Sequence, residues 1–91
     1  MIRRHLVITG KVQNVFYRDW MVGQAESLGL DGWVRNRADG SVEAVVQGAP
    51  EMVEAMIARA REGSPPSRVA DVIVGEAPGD LLTGFVKKPT A

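Results

Sequence analysis

The chain has no cysteine, which excludes disulfides, a thiol nucleophile and thiolate-bound metal. Its single histidine, His5, cannot form a metal cluster alone. Aromatic residues are only 5% of the chain, too few for the stacking platforms that many single-strand RNA binders use. There is no excess charge of either sign, because 11 basic and 11 acidic side chains cancel. A surface built to coat nucleic acid or an anionic membrane is usually basic, so any positive charge that matters here is local. Long apolar runs are also missing. Behind Arg3 and Arg4 only Leu6-Val7-Ile8 is continuously apolar, too short for the core of a signal peptide, and no stretch is long enough to span a membrane. The chain is therefore expected to be a complete cytoplasmic protein that binds neither nucleic acid nor membrane.

What is present is ordinary for a globular protein. The 91 residues are 45% hydrophobic and 24% charged, which suits one domain over residues 1–91 with a modest core. Residues 3–9 read as a strand, with His5, Val7 and Thr9 on one face and Leu6 and Ile8 on the other. Trp20, Met21, Val22, Ala25 and Leu28 recur at helical spacing, Asp19 suits the helix dipole and Gly29 supplies a stop, so a first helix is expected over residues 19–28. Leu30–Arg37 and Ser41–Gln47 are two strands joined through Ala38-Asp39-Gly40, where Asp-Gly offers positive-φ positions for a hairpin. Pro50 and Glu51 open a second helix whose stripe is Met52, Val53, Met56, Ile57 and Ala60, with Arg59 and Arg61 in its last turn and Gly63 ending it. After the stiff Ser64-Pro65-Pro66-Ser67 connector, Arg68–Val74 is a fourth strand. Residues 75–84 read as irregular, with a turn at Pro78-Gly79, before a short fifth strand at Phe85-Val86-Lys87 and a tail at Pro89-Thr90-Ala91.

The order β-α-β-β-α-β, with each β-α-β unit right-handed, leaves room for one strand between the two strands of each unit. The economical result is an α+β, ferredoxin-like sandwich: an antiparallel sheet with both helices on one face. That architecture hosts enzymes, RNA-binding modules and regulatory domains, so it does not fix a function.

The chemistry concentrates in Gly10-Lys11-Val12-Gln13-Asn14-Val15-Phe16-Tyr17-Arg18. This run leaves a strand, turns through a short loop and enters a helix with an arginine in its first turn. Loop amides, a helix N-terminus and a guanidinium together describe an anion site, most naturally for phosphate. Read alone, the same residues also suit a plain connection whose arginine points into water. The second informative stretch is Gly32-Trp33-Val34-Arg35-Asn36-Arg37-Ala38-Asp39-Gly40-Ser41-Val42, where each residue taken singly has an adequate structural role.

Together the two stretches resemble the two signatures of the acylphosphatase family. The first matches at Gly10, Val12, Gln13, Val15 and Arg18, and the second at Gly32, Trp33, Val34, Arg35, Asn36, Gly40, Val42 and Gly48. The resemblance extends over nearly the whole chain. It departs at Asn14, where the family usually has glycine, and at Tyr17, where it usually has phenylalanine or methionine. Asparagine is the non-glycine residue that best tolerates a left-handed backbone, and tyrosine keeps the ring.

The resemblance implies hydrolysis of a carboxyl–phosphate anhydride to a carboxylate and inorganic phosphate, without metal or cofactor, on small acyl phosphates; small size and the absence of an obvious apolar surface stripe set the expectation of a monomer. It implies that Gln13, Asn14, Val15, Phe16, Tyr17 and Arg18 form the phosphate loop, that Arg18 holds the phosphoryl group and that Asn36 orients the attacking water. Two other readings stand beside it. One is a non-catalytic anion-binding or regulatory module on the same scaffold. The other is an RNA-binding module, which the neutral charge and scarce aromatics disfavour. Elsewhere His5 reads as a strand residue, Asp19 as a helix-start residue and Asp39 as a turn residue. Arg35 and Arg37 are solvated strand arginines or contributors to a local positive potential. Met52 and Met56 read as core, and Lys87-Lys88 as too short a run to signify a partner.

Overall fold

The computed structural model describes residues 1–79 and 81–91; residue 80, within the stretch read as irregular, lies outside the described residues. The elements are β1 (Ile2–Lys11), α1 (Tyr17–Ser27), β2 (Asp31–Asn36), β3 (Val42–Gly48), α2 (Pro50–Glu62), β4 (Arg68–Glu76) and β5 (Phe85–Lys87). They form one sheet in the order β4-β1-β3-β2-β5. α1 packs over β2 and β5, and α2 over β4, β1 and β3. The βαββαβ sandwich is as expected from the sequence.

The expectation of a purely antiparallel sheet is corrected. β1, β2, β3 and β4 pair antiparallel, but β5 runs parallel to β2. β4 occupies one edge of the sheet and β5 the other, so the chain must cross the end of the sheet between them. It re-enters pointing the way β2 points. Gln47, at the end of β3, supports this crossing: its Nε2 donates to the Leu82 carbonyl at 3.1 Å and its Oε1 accepts from the Leu82 amide at 3.3 Å. Arg3 adds a donor to the Ala77 carbonyl at 3.3 Å. A buried glutamine thus satisfies both backbone groups of Leu82.

Alternation along the strands decides which face meets the helices. Leu6 and Ile8 of β1, Val34 of β2 and Val42, Ala44 and Val46 of β3 are all fully buried. Leu6 pairs with Ala44 and Ile8 with Val42. Asn36 also pairs with Val42, so it lies on this helix-facing side at the very end of β2. In α1 the buried residues are Tyr17, Met21 and Ala25, spaced by four. The helix therefore begins two residues earlier than the periodicity of Trp20–Leu28 suggests, because the first residue of its stripe is the tyrosine of the loop motif. Trp20, Val22 and Leu28 only flank the core. In α2 Val53, Met56 and Ala60 are buried, whereas Met52 is exposed and is not the core residue expected.

Tyr17 joins the helices. Its hydroxyl donates to the Ala60 carbonyl at 2.9 Å. Ala60 lies in the last turn of α2, where carbonyls have no intrahelical N–H to meet. Burial pushes the phenol pKa far up, so the group is a neutral donor at any ordinary pH. Tyr17→Phe should cost about 1 kcal/mol of stability, the usual net value of such a bond, read as a fall in the denaturant midpoint with an unchanged slope.

On the open face of the sheet His5, Glu43 and Arg35 form a row. Glu43 accepts from Arg35 Nε at 2.7 Å and lies 2.6 Å from His5 Nε2. Burial of the Glu43 carboxyl pulls its pKa upward, but the bonds from His5 and Arg35 outweigh burial and hold it below its ordinary value. A depressed carboxylate pKa gives stability that is complete above the unfolded value, about 4.3, and is lost as pH falls through the folded value. Glu43→Gln should therefore destabilise the protein by about 1–2 kcal/mol at pH 7 and by much less at pH 3, measured by urea unfolding at the two values.

Candidate active site

The site lies where β1, β2 and α1 converge. β1 carries a register shift at Thr9/Gly10, where its pairing with β4 skips a residue. Gly10 has φ 111°, and a side chain there would overlap the Arg68 carbonyl, so the bulge admits only glycine. The bulge turns the chain out of the sheet and into residues 12–16. Asn14 and Phe16 both have φ 59°, and they are the only non-glycine residues with positive φ among those described. Val15 between them is not left-handed. Alternating signs of φ turn successive N–H groups toward one point, the geometry of an anion nest.

The helix that follows is left uncapped. Its N-cap is Phe16, which has no capping side chain. The first backbone bond of α1 runs from the Trp20 amide to the Phe16 carbonyl at 3.0 Å. The amides of Tyr17, Arg18 and Asp19 therefore have no intrahelical acceptor. They border a cavity of about 360 Å³ lined by Val12, Asn14, Phe16, Tyr17, Arg18, Asp19 and Asn36. Free N–H groups, the positive end of a helix dipole and a guanidinium on one cavity favour a doubly charged oxyanion.

The loop residues expected at the site take different parts in it. Gln13 is a latch. Its Nε2 donates to the carbonyls of Arg37 and Ser41, both at 2.8 Å, and its side chain ties the loop to the β2–β3 hairpin. Val15 is buried in the core, and Tyr17 sends its ring inward while its backbone borders the cavity. Asn14 is exposed on the cavity wall. The Arg18 side chain is half-buried and forms no hydrogen bond or ion pair with another described residue. Asn36 is 8% exposed, and its Oδ1 is buried with no hydrogen-bond partner. A buried acceptor left unmade costs about 1–3 kcal/mol, so the position calls for an explanation beyond packing.

The hairpin beside Asn36 is shaped by Asp39 and Gly40. Gly40 has φ 94°, whereas Asp39 stays out of the left-handed region. Asp39 instead accepts from the Ser41 amide and hydroxyl at 2.9 and 2.6 Å, and these bonds hold its carboxyl pKa down.

Two supports had no local signal in the sequence. Lys87 Nζ donates to Asp19 Oδ1 at 2.8 Å, an ion pair within the chain reached across 68 positions. That bond lowers the Asp19 pKa, keeping the carboxylate charged and neutralised by its partner at the rim of the anion cavity. The last residues also continue along the edge of β2. The Lys88 amide donates to the Val34 carbonyl at 2.8 Å, and the Ala91 amide to that of Asn36 at 3.0 Å. The backbone of β2 is thus held at Val34 and at Asn36 itself, while Asn36 Oδ1 has no hydrogen-bond partner. Lys87→Ala should free the Asp19 charge and raise KM for a dianionic substrate about two- to fivefold at low salt, with the difference shrinking at high salt. Steady-state kinetics at two ionic strengths measure this.

Among the described residues no group of three or more His, Cys, Asp or Glu is placed to hold a metal ion, and no helix is long and apolar enough to cross a membrane. The sequence model of the Acylphosphatase family matches residues 4–87. The chain is similar to a curated protein named acylphosphatase from Rhizorhabdus wittichii, with 58% identity over 98% of this chain and 90% of that one. It is 52% identical to another of that name from Thiobacillus denitrificans, over 92% and 93% of the two chains. Its fold is similar to the crystal structure of acylphosphatase from Bacillus subtilis, with a TM-score of 0.92 and 30% identity, covering 97% of this chain and 99% of that one. An uncapped helix beneath an anion nest, an unpaired arginine and an unpartnered asparagine on one cavity agree with these likenesses: the chain belongs to the acylphosphatase family.

Proposed function

We propose that this protein hydrolyses small acyl phosphates by direct attack of water on phosphorus, with Arg18, the loop amides and Asn36 as the working groups. The single observation that carries the reading is Asn36 Oδ1, buried without a hydrogen-bond partner on a residue that lines the same cavity as Arg18 and the N-terminus of α1. The nest amides and the Arg18 guanidinium hold the phosphoryl oxygens and take up charge as the P–O bond breaks. The Asn36 amide orients the attacking water through a hydrogen bond.

No general acid is required. The leaving group is a carboxylate whose conjugate acid has a pKa of about 4, so it departs unprotonated. An amide is too weak a base to accept the water proton, which passes to a phosphoryl oxygen of the substrate. The balance is closed: water oxygen bonds to phosphorus, the carboxylate leaves with the bridging electron pair, and the proton stays on phosphate. The reading takes the enzyme as cytoplasmic. It takes the enzyme as a monomer, because all the working groups come from one chain.

Hydrolysis of benzoyl phosphate in ¹⁸O-labelled water tests the mechanism. Label in inorganic phosphate supports attack on phosphorus. Label in benzoate shows attack on the carbonyl and contradicts it.

A further inference from the structure

Phe16, in the cavity lining, combines three features that ordinarily cost stability. It is 79% exposed, although it is a large apolar side chain. It holds φ 59° and ψ 22°, a left-handed conformation in which a bulky residue is strained. It occupies the N-cap of α1, where serine, threonine, aspartate or asparagine would stabilise the helix and phenylalanine does not. An exposed phenylalanine alone needs no explanation. The same residue strained, exposed and on the rim of the anion cavity does.

The rest of the lining sharpens the point. Val12 and Tyr17 are each 1% exposed and offer no apolar surface to a ligand. Asn14, Arg18, Asp19 and Asn36 are polar or charged. Phe16 is thus the only accessible apolar side chain among the described residues of the cavity. A substrate anchored by its phosphoryl group on the nest has an acyl group that must go somewhere, and the polar lining offers it nothing.

We propose that the Phe16 ring is the contact for the acyl group and makes this enzyme selective for aromatic and bulky apolar acyl phosphates over acetyl phosphate. The proposal rests on the hydrolytic reading above and adds the substrate class. An aromatic acyl group stacks on the ring and buries its face, while a methyl group covers little of it.

The test compares kcat/KM for benzoyl phosphate and acetyl phosphate in the wild type, Phe16→Leu and Phe16→Asn. Asparagine accepts the left-handed backbone and the N-cap position, so that variant should fold. Its side chain can also cap a loop amide and slow both substrates. The ratio of the two kcat/KM values is therefore the readout, and intrinsic differences in substrate reactivity cancel between variants. The benzoyl-to-acetyl ratio should fall about five- to tenfold in Phe16→Asn, with Phe16→Leu between that variant and wild type. A ratio within twofold of wild type in Phe16→Asn, with both substrates still turned over, overturns the Phe16 assignment alone. Failure of the wild type to turn over either substrate overturns the hydrolytic reading, and this assignment with it.

Discussion

Arg18→Ala should lower kcat/KM for benzoyl phosphate by about a thousandfold or more and leave the unfolding midpoint almost unchanged. The two halves of this result have one cause. The Arg18 side chain bonds to no other described residue, so its removal breaks no hydrogen bond or ion pair of the fold. Its guanidinium borders the cavity beside the free amides of the first turn of α1, so its removal takes away the main positive charge facing a dianionic phosphoryl group. Arg18→Lys restores the charge but not the planar pair of donors, and should recover only part of the rate. Steady-state kinetics together with thermal unfolding followed by circular dichroism check both halves. A residue with a structural role would lose activity and stability together.

Asn36→Ala should divide the two properties in the opposite sense. Turnover is expected to fall about 100- to 1000-fold, mostly in kcat, because the amide acts on the water rather than on the bound phosphoryl group. Stability should stay the same or rise. The wild-type protein keeps Oδ1 buried without a partner, which costs about 1–3 kcal/mol, and alanine removes that atom. The small cavity left behind offsets part of the gain. Active-site residues that destabilise their own fold are the expected form of a stability–activity trade-off. Urea midpoints of the two proteins and their kcat values, measured on the same preparations, are sufficient to check it.

Much of this was legible in the chain. Helix and strand periodicities placed every element within a few residues, because β1 and β2 put alternate residues into the core and each helix carries a stripe. The two motif stretches named Arg18 and Asn36, and strand register explains how Asn36 comes to face the helix layer: it shares a side with Val34 and pairs with Val42. Asparagine in the loop was recognised as compatible with a left-handed backbone, and Asn14 adopts φ 59°.

What could not be read has a common cause: it depends on contacts between distant positions or on backbone geometry that residue type opposes. The parallel pairing of β5 follows from a crossing loop held by Gln47, far from it in sequence. Lys87 meets Asp19, and Ala91 meets Asn36, only after the sheet has formed. Gln13 was expected as part of the phosphate loop, and nothing local in the sequence announces the two bonds by which it joins that loop to the hairpin. Phe16 is the sharpest case. Propensity places phenylalanine in strands and cores, and the fold holds it left-handed, exposed and at a helix N-cap. Local preference and observed geometry disagree most at the candidate site, as expected where sequence serves chemistry rather than stability.

The central claim is that the amides of the nest and of the first turn of α1, with Arg18, form one phosphate site. Titration of ¹⁵N-labelled protein with inorganic phosphate, followed by amide chemical shifts, tests it most directly. The account predicts saturable shifts concentrated in residues 14–19, abolished in Arg18→Ala and retained in Asn36→Ala. Shifts concentrated elsewhere, such as at Arg3 and Arg4 on the opposite end of the sheet, or saturation that survives loss of Arg18 undiminished, would contradict it.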